Sequence, residues 1–229
     1  MPIQGEKIYL RAMELSDMDV YQEMLNDESI SQSVAGWSFP VSMFEQENWF
    51  QRSVMDAGNK RFSIVLKETD EVVGMLTLTD IDWQNRSAFH GIKLRSSCPK
   101  CQGIATDAVM TLMRYAFEEV NLNRLDGAWL AYNKASENLY LKCGWSVEGT
   151  KKDAVFRNGK YHDLNITGIT KARYLEIKER ISTPPPKKPN NSAIAFHERI
   201  VLFFLPPASV LDVFRKSAFL YENTISQGG

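Results

Sequence analysis

The chain has 229 residues, 44% of them hydrophobic and 24% charged, with a net charge of -1. That mix is average for a globular chain long enough to bury a core unaided, which excludes a wholly disordered chain, a collagen and a disulfide scaffold. With 27 basic residues against 28 acidic ones, there is no basic footprint for a nucleic acid.

The charge is uneven. From Arg180 onward six basic and three acidic residues give the last 50 residues +3, which leaves -4 on the first 179. The N-terminus lacks an apolar stretch of signal-peptide type. The longest apolar run, residues 200–205, is far short of the roughly 20 residues that span a bilayer. Three cysteines, an odd number, fit a reducing compartment, so a cytoplasmic location with no membrane span is expected.

Residues 7–11 alternate like a short strand. Ser16 reads as an N-cap for a helix over 17–26. The pattern breaks over 31–40, with Gly36, Trp37 and Pro40. Ser42 and Glu45 have capping-box spacing and open a helix to about Ala57. Strands over 61–67 and 72–79 flank a hairpin turn. Residues 80–86 are polar and turn-like, and 87–94 reads as a third strand.

Residues 103–120 carry the clearest helical spacing, with Ala105, Ala108, Val109, Leu112, Met113, Ala116 and Phe117 on one stripe. A strand over 124–132 follows, then a helix over 135–142 with Gly144 as its stop. Strands over 153–157 and 161–170 meet at Asn158-Gly159, a dipeptide suited to a type I′ turn. Residues 171–179 add a helical turn or two. This order predicts an α/β fold with a mixed, largely antiparallel sheet and flanking helices.

Composition then changes. Residues 180–192 read as a Pro-rich linker, of which 182–191 cannot be helical, and 193–229 as an apolar, helically spaced extension. Leu202, Phe203, Phe204, Leu211 and Phe214 are too many to leave in water, so the extension docks on the domain or on a partner.

Two segments carry chemistry. The first is Lys100-Cys101-Gln102-Gly103-Ile104-Ala105-Thr106-Asp107, at the start of the long helix. Helix N-termini present unpaired N–H groups and the positive end of the dipole, which suits phosphate, and Gly103 and Ala105 leave the backbone accessible. It is neither a P-loop nor a Rossmann fingerprint. The second is residues 133–144, with Asn133, Ser136, Tyr140, Lys142 and Gly144. A phenol such as Tyr140 can donate a proton to a leaving thiolate, or simply pack as a half-buried tyrosine.

Taken together, Q/R-x-x-G-x-G/A at a helix start and N-x-x-A/S-x-x-x-Y-x-K-x-G-F about 30 residues later resemble the GNAT superfamily of acyl-CoA-dependent N-acetyltransferases. Lys100 fills the Q/R slot and Trp145 the final aromatic one. Residues 80–88, the Gly91-Ile92 pair and residues 155–163 resemble the branch with ribosomal-protein N-terminal and polyamine acetyltransferases. The likeness runs over about residues 5–178, so residues 1–179 are read as one acetyltransferase domain.

The resemblance implies a sheet splayed at its centre with acetyl-CoA as co-substrate in the opening. It places the pantetheine arm along Ile92, Lys93 and Leu94. It places the pyrophosphate on the backbone of Cys101, Gln102, Gly103, Ile104, Ala105 and Thr106 beside Lys100. Asn133, Ser136 and Lys142 also serve the cofactor. It makes Tyr140 the acid for the departing thiolate, with a small-molecule or peptide amine attacking the thioester directly. A homodimer is common among such proteins.

The sequence departs from the family in three places. Phe89 stands where many relatives carry a glutamate, and Cys101 and Gln102 stand where Gly and Lys are common. Phe89 cannot be a base. His90 should face away from Phe89 by strand alternation, and His162, Asp163 or a relayed water remain alternatives. Asp82 and Trp37 either border the acceptor or hold loops. A non-catalytic acyl-CoA-binding module is the competing reading. Cys98-Pro99-Lys100-Cys101 is a lone C-x-x-C, and zinc needs about four ligands, so no metal is expected. The acidic balance of residues 1–179 suits a cationic acceptor.

Overall fold

A computed structural model describes residues 1–36, 39–99 and 102–182. The extension expected over 193–229, and nearly all of the linker before it, lie outside the described residues.

Among the described residues, eight strands form one sheet in the order β1-β2-β3-β4-β5-β6-β8-β7. They are β1 (Ile3–Gln4), β2 (Ile8–Ala12), β3 (Lys60–Leu66), β4 (Val72–Asp82), β5 (Ser87–Leu94), β6 (Arg124–Leu130), β7 (Ser146–Arg157) and β8 (Lys160–Thr170). The described residues also hold six α-helices: α1 (Met18–Asn26), α2 (Glu28–Ser31), α3 (Met43–Val54), α4 (Ile104–Arg114), α5 (Lys134–Lys142) and α6 (Lys171–Ser182). Every strand pair is antiparallel except β5 with β6. The expected α/β fold with a largely antiparallel sheet is the observed one.

Local chemistry explains most element boundaries. Ser42 Oγ accepts from the Glu45 N–H while Glu45 returns to the Ser42 N–H, so the capping box opens α3. Asn158 and Gly159 take φ of 50° and 76°, the left-handed pair that a type I′ turn requires, and β7 folds back into β8. The apolar stripe of α4 buries Ala108, Val109, Leu112 and Met113 against Leu76, Leu78, Ala88 and Leu125. Each fully buried leucine there contributes roughly 2 kcal/mol relative to exposure. A second, smaller core joins Met18, Tyr21 and Met24 to Met75. The sheet thus has one face under α4, α5 and α6 and another under α1 and α3.

Several expectations are corrected. Ser16 does not cap α1; it lies inside a 3-10 turn, Leu15–Asp17, because Glu14 holds the cap position and the Asp17 carboxylate accepts its N–H. Residues 80–82 are strand rather than turn, continuing β4 past a register irregularity. The long helix ends at Arg114 and passes into a π-helical turn, Tyr115–Glu119. β6 stops at Leu130, so Tyr132 lies in a turn. β7 starts at Ser146, earlier than expected: Ser146–Lys152 is an exposed edge whose polar composition hides the strand. α6 runs from Lys171 to Ser182, longer than the turn or two expected over 171–179.

Candidate active site

The functional geometry begins where the sheet opens. β5 and β6 pair only over Ser87–Phe89 and Arg124–Asp126. Beyond that, β5 stays on β4 as far as Leu94 and β6 stays on β8 as far as Leu130. The two strands therefore diverge, and among the described residues the inner edge of β5 from His90 onward has no strand partner. A cavity of about 320 Å³ fills the opening, lined by Gly91, Ile92 and Lys93 on one side and Ala128, Trp129 and Tyr140 on the other. Gly91 keeps its floor open, since a Cβ there would stand 2.9 Å from Thr77 Oγ1.

Tyr140 reaches this opening because α5 is held at both ends. Asn133 caps it, with Oδ1 accepting from the Ser136 N–H at 3.0 Å. Gly144 ends it with φ of 87°, and a Cβ at that position would collide with Ile177 Cδ1. Tyr140 is only 4% exposed, far more buried than the half-buried tyrosine considered above. It stacks on Trp129, with ring centroids 5.4 Å apart and planes at 11°, and meets Trp145 edge-on at 5.0 Å. Burial raises the Tyr140 pKa above the ordinary phenol value, so the hydroxyl is protonated at neutral pH.

His90 sits opposite Phe89 as alternation requires: His90 is 2% exposed and Phe89 39%. The imidazole packs on Tyr140 and Trp145, and burial, outweighing the Thr77 backbone that favours the charged form, pushes its pKa down to about 4. It is neutral at pH 7. Two of the other titratable candidates, Asp163 and Asp82, are engaged elsewhere. Asp163 pairs with Lys152 at 2.8 Å, which holds its carboxyl below the usual range, and it also accepts from the Asp153 N–H. His162 meets Tyr132 edge-on, ring centroids 4.7 Å apart. Asp82 accepts from the Asn85 backbone and side chain, a loop-holding role. Trp37 lies outside the described residues.

A strap covers the opening. Residues 33–36 line the cavity and are tied down by side chains from the far half of the sheet. Asn133 Nδ2 donates to the Ser33 carbonyl at 2.8 Å, and Arg157 Nη2 donates to those of Val34 and Gly36. Tyr132 Oη donates to the neighbouring Gln32 carbonyl. The Asn133 amide thus serves the helix cap and the strap together. This double role has no signature in the sequence, because the strap and its anchors are about 100 residues apart.

The helix-start motif lies at the mouth of a second cavity, about 610 Å³, lined among others by Gly103, Thr106 and Lys142. Lys100 and Cys101 lie outside the described residues. Gly103 takes φ of 80° and caps α4. Ile104 is buried, so only its backbone can serve a ligand, and Leu94 packs on the large core. Asp107 was singled out only as the motif's last residue. Its carboxylate accepts from the N–H groups of Glu6, Lys7 and Ile8 at 3.0, 2.7 and 3.1 Å, and Lys7 Nζ donates to the Gln102 carbonyl. The N-terminal hairpin therefore fixes the loop that leads into α4.

The acetyltransferase (GNAT) domain family matches residues 7–146. The chain belongs to that family. This acetyltransferase is 29% identical to an uncharacterized N-acetyltransferase p20 of Bacillus licheniformis, over 74% of this chain and 96% of that one. It is 26% identical to a spermidine N(1)-acetyltransferase of Vibrio cholerae, over 76% of this chain and 99% of that one. In structure it is similar to the V. cholerae spermidine N-acetyltransferase solved with CoA and spermine. The TM-score is 0.69 at 24% identity, covering 74% of this chain and 98% of the other. The chain is accordingly an acetyl-CoA-dependent N-acetyltransferase. Among the described residues, no helix of this acetyltransferase is long and apolar enough to cross a membrane.

Proposed function

We propose that this acetyltransferase moves the acetyl group of acetyl-CoA onto a primary amine by direct attack, with Tyr140 protonating the departing CoA thiolate. The observation that carries the reading is the buried Tyr140 lining the gap where β5 and β6 part. The unpartnered edge at Ile92–Leu94 offers backbone groups to a pantetheine amide, as an added strand would. The N–H groups at the start of α4, around Gly103–Thr106, offer donors to a pyrophosphate, and Lys142 adds a cation beside them.

The amine nitrogen attacks the thioester carbon, the C–S bond breaks as the tetrahedral adduct collapses, and the sulfur leaves as thiolate. The Tyr140 phenol gives it a proton. The desolvation that weakens the phenol as an acid also makes a thiolate in this cavity more basic, so the transfer stays favourable. Asp163 is paired with Lys152 and His90 packs on Tyr140 and Trp145, which leaves His162 or a relayed water to take the amine's proton. Tyr140 is then reprotonated from solvent as CoA departs.

Relatives named for spermidine and for a ribosomal-protein serine support an amine acceptor, and a dodecameric structural neighbour supports self-association. Thiol release is measured with acetyl-CoA and a panel of amines: polyamines, amino acids, peptides with free N-termini, and amino sugars. Release above background with at least one acceptor is expected. Tight acetyl-CoA binding with no release from any amine would support the non-catalytic module instead, for which Phe89 in a carboxylate position is the motive.

A further inference from the structure

The charge lining the acceptor side of the opening differs in sign from the domain as a whole. Cross-strand partners share a face, and the register pairs Met75 with Lys93, Thr77 with Gly91 and Thr79 with Phe89. These residues face α1, α3 and the strap, away from the face that carries α4. Lys93 lines the 320 Å³ opening and also a neighbouring cavity of about 500 Å³ bounded by α1 and α3. Met75 is likewise common to both, so the two spaces meet at this pair.

Lys93 is half-buried and makes no hydrogen bond or ion pair among the described residues. The carboxylates that could reach across the β5 end are already taken. Arg95, two residues on, holds both Glu23 and Glu71, at 2.7 and 2.8 Å. No Asp or Glu lines the opening among the described residues. Among the described residues the neighbouring cavity has one carboxylate, Glu45, whose Oε2 closes the α3 capping box, and the Arg52 side chain also lines it. An ammonium kept half out of water without a counter-charge is costly unless a ligand supplies one.

We infer that Lys93 is a specificity-determining residue that receives a carboxylate of the acceptor, so that the preferred substrate is an amine bearing a carboxylate, as in an amino acid or short peptide, and not a polyamine. The inference rests on the acetyl transfer proposed above. A polyamine would bring several ammonium groups into a space whose unmatched charge is already positive, and like charges in a half-desolvated site repel strongly. A carboxylate would form a charge-assisted hydrogen bond with Lys93 and leave the amine free to point toward the thioester. Burial lowers the Lys93 pKa, in keeping with a group whose counter-charge is absent. The -4 balance of residues 1–179 is not carried by the described lining of this site, where Glu45 is the one carboxylate against Lys93 and Arg52.

The test compares kcat/KM by thiol release for amino acids and dipeptides, their carboxamides and spermidine, in the full chain and in Lys93→Met and Lys93→Arg. The free carboxylate is expected to be preferred over the carboxamide by about tenfold to a hundredfold. Lys93→Met abolishes that ratio and Lys93→Arg largely keeps it. The ratio is the decisive readout, since a general loss of folding or of CoA binding lowers all acceptors alike. Spermidine used as well as the carboxylates, or an unchanged ratio in Lys93→Met, overturns the inference and leaves the acetyl-transfer reading standing. No thiol release from any acceptor overturns both.

Discussion

Tyr140 and Trp129 lie flat against each other across the gap between α5 and β6, ring centroids 5.4 Å apart and planes 11° from parallel. The stack joins a helix to the strand that has just left β5. The proposed acid is therefore held by the same structural event that opens the sheet. Trp145 and His90 close around the pair, so the phenol ring is fixed by packing on several sides.

The strap gives a prediction about the acceptor alone. Arg157 ties the carbonyls of Val34 and Gly36 over the opening while sitting at the end of β7, away from the α4 loop. Arg157→Ala is expected to raise the acceptor KM by about tenfold through lost positioning, with the acetyl-CoA KM within about twofold of wild type. Steady-state kinetics varying each substrate in turn read this directly. An equal rise in both constants would show that the strap also shapes the CoA side.

Asp107 gives the converse prediction. Its carboxylate gathers three backbone N–H groups of the N-terminal hairpin beside the α4 start. Asp107→Ala is expected to lower stability by about 2 kcal/mol, because those donors lose their acceptor. Acetyl-CoA affinity should also weaken as the loop at Gln102 is released. Denaturant unfolding and calorimetric titration check the two effects separately. Unchanged stability would mean that solvent replaces the carboxylate without loss.

Stability should fall at acid pH through a buried pair near the second core. Burial alone would raise the Asp17 pKa, but Arg11 at 2.7 Å, the Ser63 hydroxyl and the Glu14 N–H outweigh it and hold the carboxyl below its usual range. A depressed carboxylate stabilises the fold fully above its unfolded pKa of about 3.9. That contribution is lost as pH falls from there through the lower folded value. Asp17→Asn is expected to cost about 3 kcal/mol at pH 7, because Arg11 loses its partner, and to flatten this part of the pH profile. Urea midpoints between pH 2 and pH 7 measure it, and a variant with the wild-type profile would assign the acid sensitivity elsewhere.

Much of the fold was legible because local chemistry decided it. The Ser42–Glu45 box, the Asn158-Gly159 turn and the apolar stripe of α4 each carry their geometry in adjacent residues. The start of β7 was not legible, since an exposed edge strand needs no apolar alternation. The cap of the first helix was missed because Asp17 looks outward in sequence yet turns inward to Arg11. Tyr140 and the α4 start were legible as a pair of motifs, but the strap, the hairpin anchor at Asp107 and the unpaired Lys93 were not. Each depends on residues brought together from distant parts of the chain.

The central claim is that Tyr140 protonates the thiolate. Its most direct test is the turnover of Tyr140→Phe, measured as CoA thiol release at saturating acetyl-CoA and acceptor, alongside equilibrium acetyl-CoA binding. Removing only the hydroxyl is predicted to lower kcat by about a hundredfold or more while acetyl-CoA affinity stays near wild type. Wild-type turnover in that variant would contradict the account.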